Sequence, residues 1–119
     1  VVGDRLDTDI AGAAAAGYPS LVVLTGVSSP RDLLAAGPGE RPSYVGRDLG
    51  ALHLCHHAPS LDGDGARCGS VRVGADGSVS GETGGGDGLD GLRAACALAW
   101  AGQVEPERYD GVLKALDLD

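Results

Sequence analysis

Methionine and phenylalanine are absent from the 119 residues, tryptophan occurs once, and aromatics make up only 3% of the chain. A core without large rings must be assembled from aliphatic and small side chains, with little area to bury per residue. Marginal stability is the expectation. The abundance of alanine and of glycine, of which there are 21, reads first as the codon bias of a GC-rich genome. Basic residues are also scarce: 9 Lys+Arg stand against 17 Asp+Glu, giving a net charge of -8 and a pI near 4.6. That balance argues against a nucleic-acid partner, because a phosphate-backbone binder needs a basic face. No run approaches the ~18–20 apolar residues of a membrane span, and no signal peptide is legible, so no membrane partner is expected. Cys55, Cys68 and Cys96 are odd in number and widely spaced, which argues against a disulfide-stapled secreted fold and fits a reducing cytoplasm. The missing methionine, with Val1-Val2 reading as the end of a strand already under way, points to a truncated chain. The length suits one small domain, or one fragment with an appendage.

What is present falls into two parts, divided near residue 54. Residues 1–54 hold six acids and four bases, while residues 55–119 hold eleven acids and five bases. The first part alternates strand and helix. Val1-Val2 ends a strand and Gly3-Asp4 turns. Thr8 to Ala16 then reads as an alanine-rich helix, with Asp7 or Thr8 as cap and Gly17 as its stop. Leu21 to Leu24 is a short continuous apolar run, suited to a strand buried on both faces of a parallel sheet. Ser29-Pro30-Arg31-Asp32 predicts a helix start with a capping box and proline at the first helical position. Leu33 and Leu34 face inward, and Gly37-Pro38-Gly39 ends that helix. Tyr44-Val45 forms a brief last strand, after which Asp48 caps a short turn through Leu49 and Leu52. The β-α-β-α-β order predicts the C-terminal part of a doubly wound parallel α/β sheet, with its chemistry outside the carboxyl ends of the strands.

Residues 55–119 are expected to form a small α+β tail. Residues 58–70 read as loop, being rich in Gly, Asp and Ser. Val71, Val73 and Val79 flank Asp76-Gly77, a strong two-residue hairpin signal. Gly84-Gly85-Gly86 reads as a flexible joint. Leu89, Leu92, Cys96, Ala99 and Trp100 recur at helical spacing, with Asp87 as cap and Asp90 in the first turn. Gly102 stops this helix, and Pro106 opens another bearing Tyr109, Val112, Leu113 and Leu116 on one face.

The strongest chemical signal is Gly3-Asp4-Arg5-Leu6-Asp7-Thr8-Asp9-Ile10. A carboxylate placed directly after a buried strand projects into the crevice at the sheet's carboxyl edge, and Gly3 allows the sharp turn. Asp9 falls in the first turn of the next helix, close enough to support Asp4 from behind. Hard oxygen ligands open to water suit Mg²⁺, which keeps waters or phosphate oxygens beside one or two protein carboxylates. The plainer alternative makes Asp4 a turn residue and Asp7 and Asp9 helix caps.

Three other clusters have weaker claims. His53, Cys55, His56, His57 and Cys68 invite a zinc reading, but their spacing matches no paired Cys-x-x-Cys frame. Asp62-Gly63-Asp64-Gly65 hints at a calcium loop, yet Ala66 occupies the next ligand position and a solvated turn is the simpler account. Gly84 to Gly88 could offer N–H groups to an anion, but lacks the lysine of a P-loop and reads more simply as a linker. Trp100, on the apolar stripe, reads as core.

The acidic loop, continuing to Leu24-Thr25-Gly26-Val27-Ser28 and then to Arg41-Pro42-Ser43-Tyr44 and Asp48-Leu49, closely resembles the haloacid dehalogenase (HAD) superfamily. The similarity is to its phosphatases of subfamily IIA, which act on phosphoglycolate, glycerol 3-phosphate, pyridoxal phosphate and 4-nitrophenyl phosphate. It covers roughly residues 1–52, and it implies a Rossmann-like hydrolase core over residues 1–54. By this resemblance Asp4 matches the Mg²⁺-ligating aspartate of the fourth motif. Asp9 matches the second acidic residue of that motif, which orders metal-bound water or neighbouring side chains; Arg5 and Asp7 also match the pattern. The resemblance implies a small phosphorylated metabolite as partner and admits a homodimer of the full-length protein. It also implies an aspartate nucleophile, an aspartate acid and base, a hydroxyl motif and a lysine. In the family these precede the fourth motif, and so does the cap that selects substrate. None is found here, and Lys114, the only lysine, lies on the wrong side of the motif. The chain is therefore expected to be an inactive C-terminal fragment of a phosphatase. A second reading makes it a non-catalytic binding or regulatory module that keeps a relic acidic loop. The helix carrying Leu92-Arg93-Ala94-Ala95 and Ala99-Trp100 is similar to the extra C-terminal region of actinobacterial members, with no activity implied.

Overall fold

A computed structural model describes residues 1–25, 27–53 and 57–118. The chain divides into two compact units, Val1–His56 and His57–Asp119.

In the first unit three short strands, β1 (Val2–Gly3), β2 (Leu21–Val23) and β3 (Tyr44–Gly46), form a parallel sheet in the order β1-β2-β3. Val2 pairs with Leu21 and Gly3 with Val22, while Leu21, Val22 and Val23 pair with Tyr44, Val45 and Gly46. β2 lies in the middle, and all three of its side chains are buried, as a continuous apolar run requires of a strand covered on both faces. Leu21 and Val23 share one face and cluster with Ala51; Val22, on the other, is fully buried. Such side chains each contribute on the order of 1.5–3 kcal/mol of burial. Ser20 and Ser43 brace the entries to β2 and β3 reciprocally, each backbone N–H donating to the other's hydroxyl at 3.1 and 3.3 Å.

The crossover from β1 to β2 differs from the simple capped helix expected over Thr8–Ala16. Leu6–Ile10 forms a wide π-helical turn, with the Ile10 N–H donating to the Arg5 carbonyl at 3.2 Å. Helix α1 (Ala11–Ala16) comes next. Neither Asp7 nor Thr8 caps it: the turn starts after Arg5 with no side-chain cap. Leu6 and Ile10 are buried, anchoring the turn at both ends. Gly17, at φ 77°, ends α1 in a Schellman arrangement, the Tyr18 N–H reaching the Ala13 carbonyl at 2.9 Å. Helix α2 (Pro30–Leu34) begins with the expected capping box. The Asp32 N–H donates to Ser29 Oγ at 3.2 Å, and the Ser29 N–H donates to Asp32 Oδ2 at 2.9 Å. Leu33 and Leu34 are buried beneath it. Asp48 caps the turn after β3, accepting the Gly50 N–H at 2.8 Å.

The second unit is an antiparallel meander, β4 (Ser60–Asp62), β5 (Gly65–Cys68), β6 (Val71–Gly74) and β7 (Val79–Ser80), in sequence order. Helices α3 (Asp90–Trp100) and α4 (Tyr109–Ala115) complete it. A hairpin joins β6 to β7 where Asp76-Gly77 points to one, but its loop is residues 75–77 rather than two residues. The Gly74 N–H donates to the Ser78 carbonyl at 2.8 Å and the Gly77 N–H to the Gly74 carbonyl at 3.0 Å, with Gly77 at φ 90°. The stretch expected as loop instead holds the β4–β5 hairpin, in which Leu61 pairs with Ala66 and Asp62 with Gly65. All three residues of β4 are exposed, so the strand leaves no apolar alternation to read. Ala66, Cys68, Val71 and Val73 are buried on the sheet's inner side, as are Leu89, Leu92, Cys96 and Leu98 of the α3 segment. α4 adds Tyr109, Val112 and Leu113, and Leu116 lies against the bare backbone of Gly91. Trp100, expected as core, is half-buried at the helix end. Among the described residues no helix is long and apolar enough to cross a membrane.

Candidate metal-binding loop

β1 delivers the chain to the carboxyl edge of the parallel sheet at Gly3, and Asp4 comes directly after it, half-buried. The loop is pinned to the segment that leaves β2. The Ser28 N–H donates to the Asp4 carbonyl at 3.1 Å, and the Leu6 N–H donates to Ser28 Oγ at 3.2 Å. Ser28 is itself buried, so its hydroxyl satisfies a backbone donor that water does not reach. Sequence reasoning gave Ser28 no role of its own. It lies 22 residues from Leu6, and no spacing rule points to the pair.

Asp9, also half-buried, sits in the π-helical turn and lies directly over Gly3; a Cβ at that position would overlap its Cβ and carboxylate. The glycine therefore makes room for the second acid; its φ lies outside the left-handed region, so it is this close approach and not backbone freedom that requires it. Asp7 is directed elsewhere. Arg5 Nε and Nη2 donate to its two carboxylate oxygens, each at 3.1 Å, in a bidentate pair. That hydrogen-bonded guanidinium holds the Asp7 carboxyl below its usual range, and Asp7 in turn raises Arg5, with smaller contributions from the fields of Asp4 and Asp9. Arg5, Asp7, Ser28, Asp32 and Glu40 help line an open cavity of about 290 Å³; Asp4 and Asp9 are not among its lining residues.

The other clusters resolve differently. Cys55, His56 and the His53 side chain lie outside the described residues. His57 and Cys68 converge on Asp90: His57 Nδ1 is 2.8 Å from Oδ2, and the Cys68 thiol donates to Oδ1 at 3.5 Å. Arg93 also donates to Asp90 Oδ1, at 3.0 Å, and to both oxygens of Asp87, at 2.9 and 2.6 Å. Burial, then the Asp90 charge, pushes the Cys68 thiol up to about 12. Among the described residues no group of three His, Cys, Asp or Glu is arranged to hold a metal ion. Asp62 and Asp64 lie in the β4–β5 turn facing Arg72, at 3.4 and 3.2 Å, an arrangement that neutralises the carboxylates. Gly84 to Gly88 makes successive turns before α3, and Asp87 there accepts the Leu89 N–H at 3.0 Å. Its carboxylate disfavours an anion.

Residues 1–52 match the HAD-hydrolase-like family, over the span that holds the parallel sheet and the acidic loop. Over this span the chain is similar to HAD-type hydrolases. The chain is 48% identical over 108 residues to the D-glycerol 3-phosphate phosphatase of Mycobacterium tuberculosis, covering 84% of this chain and 30% of that protein. It is 52% identical over 44 residues to phosphoglycolate phosphatase 2 of Arabidopsis thaliana, covering 37% of this chain and 15% of that one. The crystal structure of a glycerol phosphate phosphatase from M. tuberculosis in complex with magnesium superposes with a TM-score of 0.65 at 35% identity, over 100% of this chain and 37% of that one. Its complex with calcium gives 0.64 at 34% identity, over 99% and 38%. The chain thus spans little more than a third of the solved relatives' length, and the 108-residue match runs beyond residues 1–52 into the second unit.

Proposed function

We propose that this chain supplies the metal-binding loop of a Mg²⁺-dependent phosphatase acting on small phosphomonoesters, with Asp4 as the ligand and Asp9 behind it. The observation that carries this reading is the emergence of Asp4 at the carboxyl edge of the sheet, next to a glycine whose bare backbone is covered by Asp9. The donors fit the ion, since two hard carboxylates at a half-exposed loop suit a cation that keeps much of its hydration. When bound, Mg²⁺ supplies positive charge between the carboxylates and a phosphoryl oxygen. The chain's own residues hold the geometry: Ser28 fastens the loop backbone, Leu6 and Ile10 anchor the turn, and Gly3 admits Asp9 beside Asp4. The solved relative's magnesium complex and the phosphatase activities named for both relatives support the assignment.

The aspartyl-phosphate chemistry requires a carboxylate nucleophile, an acid and base, and phosphate-holding hydroxyl and lysine groups. These belong to the remainder of the parent enzyme, so the 119 residues alone are inactive. Residues 1–54 are the hydrolase segment and residues 55–119 a small α+β tail to which no activity is assigned. A phosphate-release assay tests this with glycerol 3-phosphate and 2-phosphoglycolate in Mg²⁺. The parent should turn over at least one ester and the 119-residue chain neither. Turnover by the chain alone would contradict the reading.

A further inference from the structure

Three carboxylates, Asp4, Asp7 and Asp9, fall within six residues of sequence, and Asp7 holds the guanidinium of Arg5, which lies between Asp4 and Asp7 in the chain. Arg5 has extended backbone, at φ -122° and ψ 126°, so its side chain and that of Asp4 leave the chain on opposite sides. The π-helical turn brings Asp7 back to the Arg5 side, where the fork of Nε and Nη2 meets both carboxylate oxygens at 3.1 Å. Asp4 and Asp9 remain within the electrostatic reach of the same guanidinium. Both members of the pair are largely exposed, and exposed ion pairs are weak enough to exchange partners readily. Without Asp7, the long Arg5 side chain has two other carboxylates to take. A guanidinium there would occupy the lone pairs and cancel the charge that a cation needs.

We infer that Asp7 is a positioning residue: it restrains Arg5 so that Asp4 and Asp9 stay open to the divalent cation. The inference rests on Asp4 being the metal ligand. It assigns Asp7 no contact with the ion, since both its oxygens face Arg5.

The test titrates Mg²⁺ alone into the 119-residue chain, following backbone amides of residues 3–10 and the Arg5 Nε–Hε signal by NMR. Asp7→Ala should weaken Mg²⁺ binding about three- to tenfold, the range expected for one charge competing at a partly exposed site. In that variant the Arg5 Nε–Hε signal should move during the titration, as Mg²⁺ displaces it from Asp4 and Asp9; in the parent sequence it should stay in place. Arg5→Gln combined with Asp7→Ala should restore affinity to near the parent value. Unweakened binding in Asp7→Ala, an Arg5 signal that ignores Mg²⁺, or a double variant as weak as the single one would overturn the inference. Binding that Asp4→Asn leaves unchanged would instead remove the metal site itself, and the role of Asp7 with it.

Discussion

Asp9 lies over Gly3, its carboxylate filling the space where any other residue would carry a Cβ. A single missing side chain thus seats the second acid. Gly3→Ala should cost about 1–3 kcal/mol of stability, the usual range for overpacking, and should also displace Asp9 and weaken Mg²⁺ binding. Thermal unfolding and a Mg²⁺ titration check the two effects; a variant unchanged in both would show that the contact is dispensable.

Ser28 fastens the same loop from the other side. Ser28→Ala leaves the Leu6 N–H, buried at that point, without its acceptor, a loss of about 1–3 kcal/mol. Amide exchange at Leu6 and Ser28 should accelerate while α3 in the second unit keeps its protection. Unaltered exchange at Leu6 would argue against the staple.

How much of this was legible in the sequence depended on whether the signal was local. Ser29 with Asp32 and Gly17 after an alanine helix each lie within a few residues of what they organise, and each forms as read; Asp76-Gly77 does mark a hairpin, but its loop takes in Ala75 as well. The Leu21–Val23 run is buried for the reason its composition implies. Asp7 misled because acids near a helix start resemble caps, whereas a guanidinium two residues earlier captures it and the turn widens. The β4–β5 hairpin was hidden because its outer strand carries no apolar alternation and its turn is all Asp and Gly. Trp100 shares the periodicity of α3, but it lies in the last turn, where the helix runs out toward solvent. That Asp4 follows a strand of the parallel sheet could be read from pattern; Ser28, whose role depends on the approach of two strand ends, could not.

Cys68 and Cys96 are both buried, and burial pushes each thiol up to about 12 from an ordinary value of 9.0. The folded state therefore keeps protons that the unfolded chain loses between pH 9 and 12. Stability should be intact below pH 9 and fall as pH rises through that window, by up to ~1.4 kcal/mol per pH unit for each thiol. Urea melts from pH 8 to 11 should show the fall, and Cys68→Ala should flatten its slope. With Cys55→Ser as background, neither remaining thiol should react with a disulfide reagent in the folded state at pH 8. Fast reaction without unfolding would contradict the burial argument.

The most direct test concerns Asp4. In the full-length parent proposed above, Asp4→Asn keeps the shape of the side chain and removes the charge assigned to the cation. The Mg²⁺ concentration for half-maximal activity should rise, and turnover should fall by well over tenfold, with the thermal melt in the absence of metal little changed. A variant whose magnesium dependence and turnover match the parent's would contradict the assignment of this loop as the metal site.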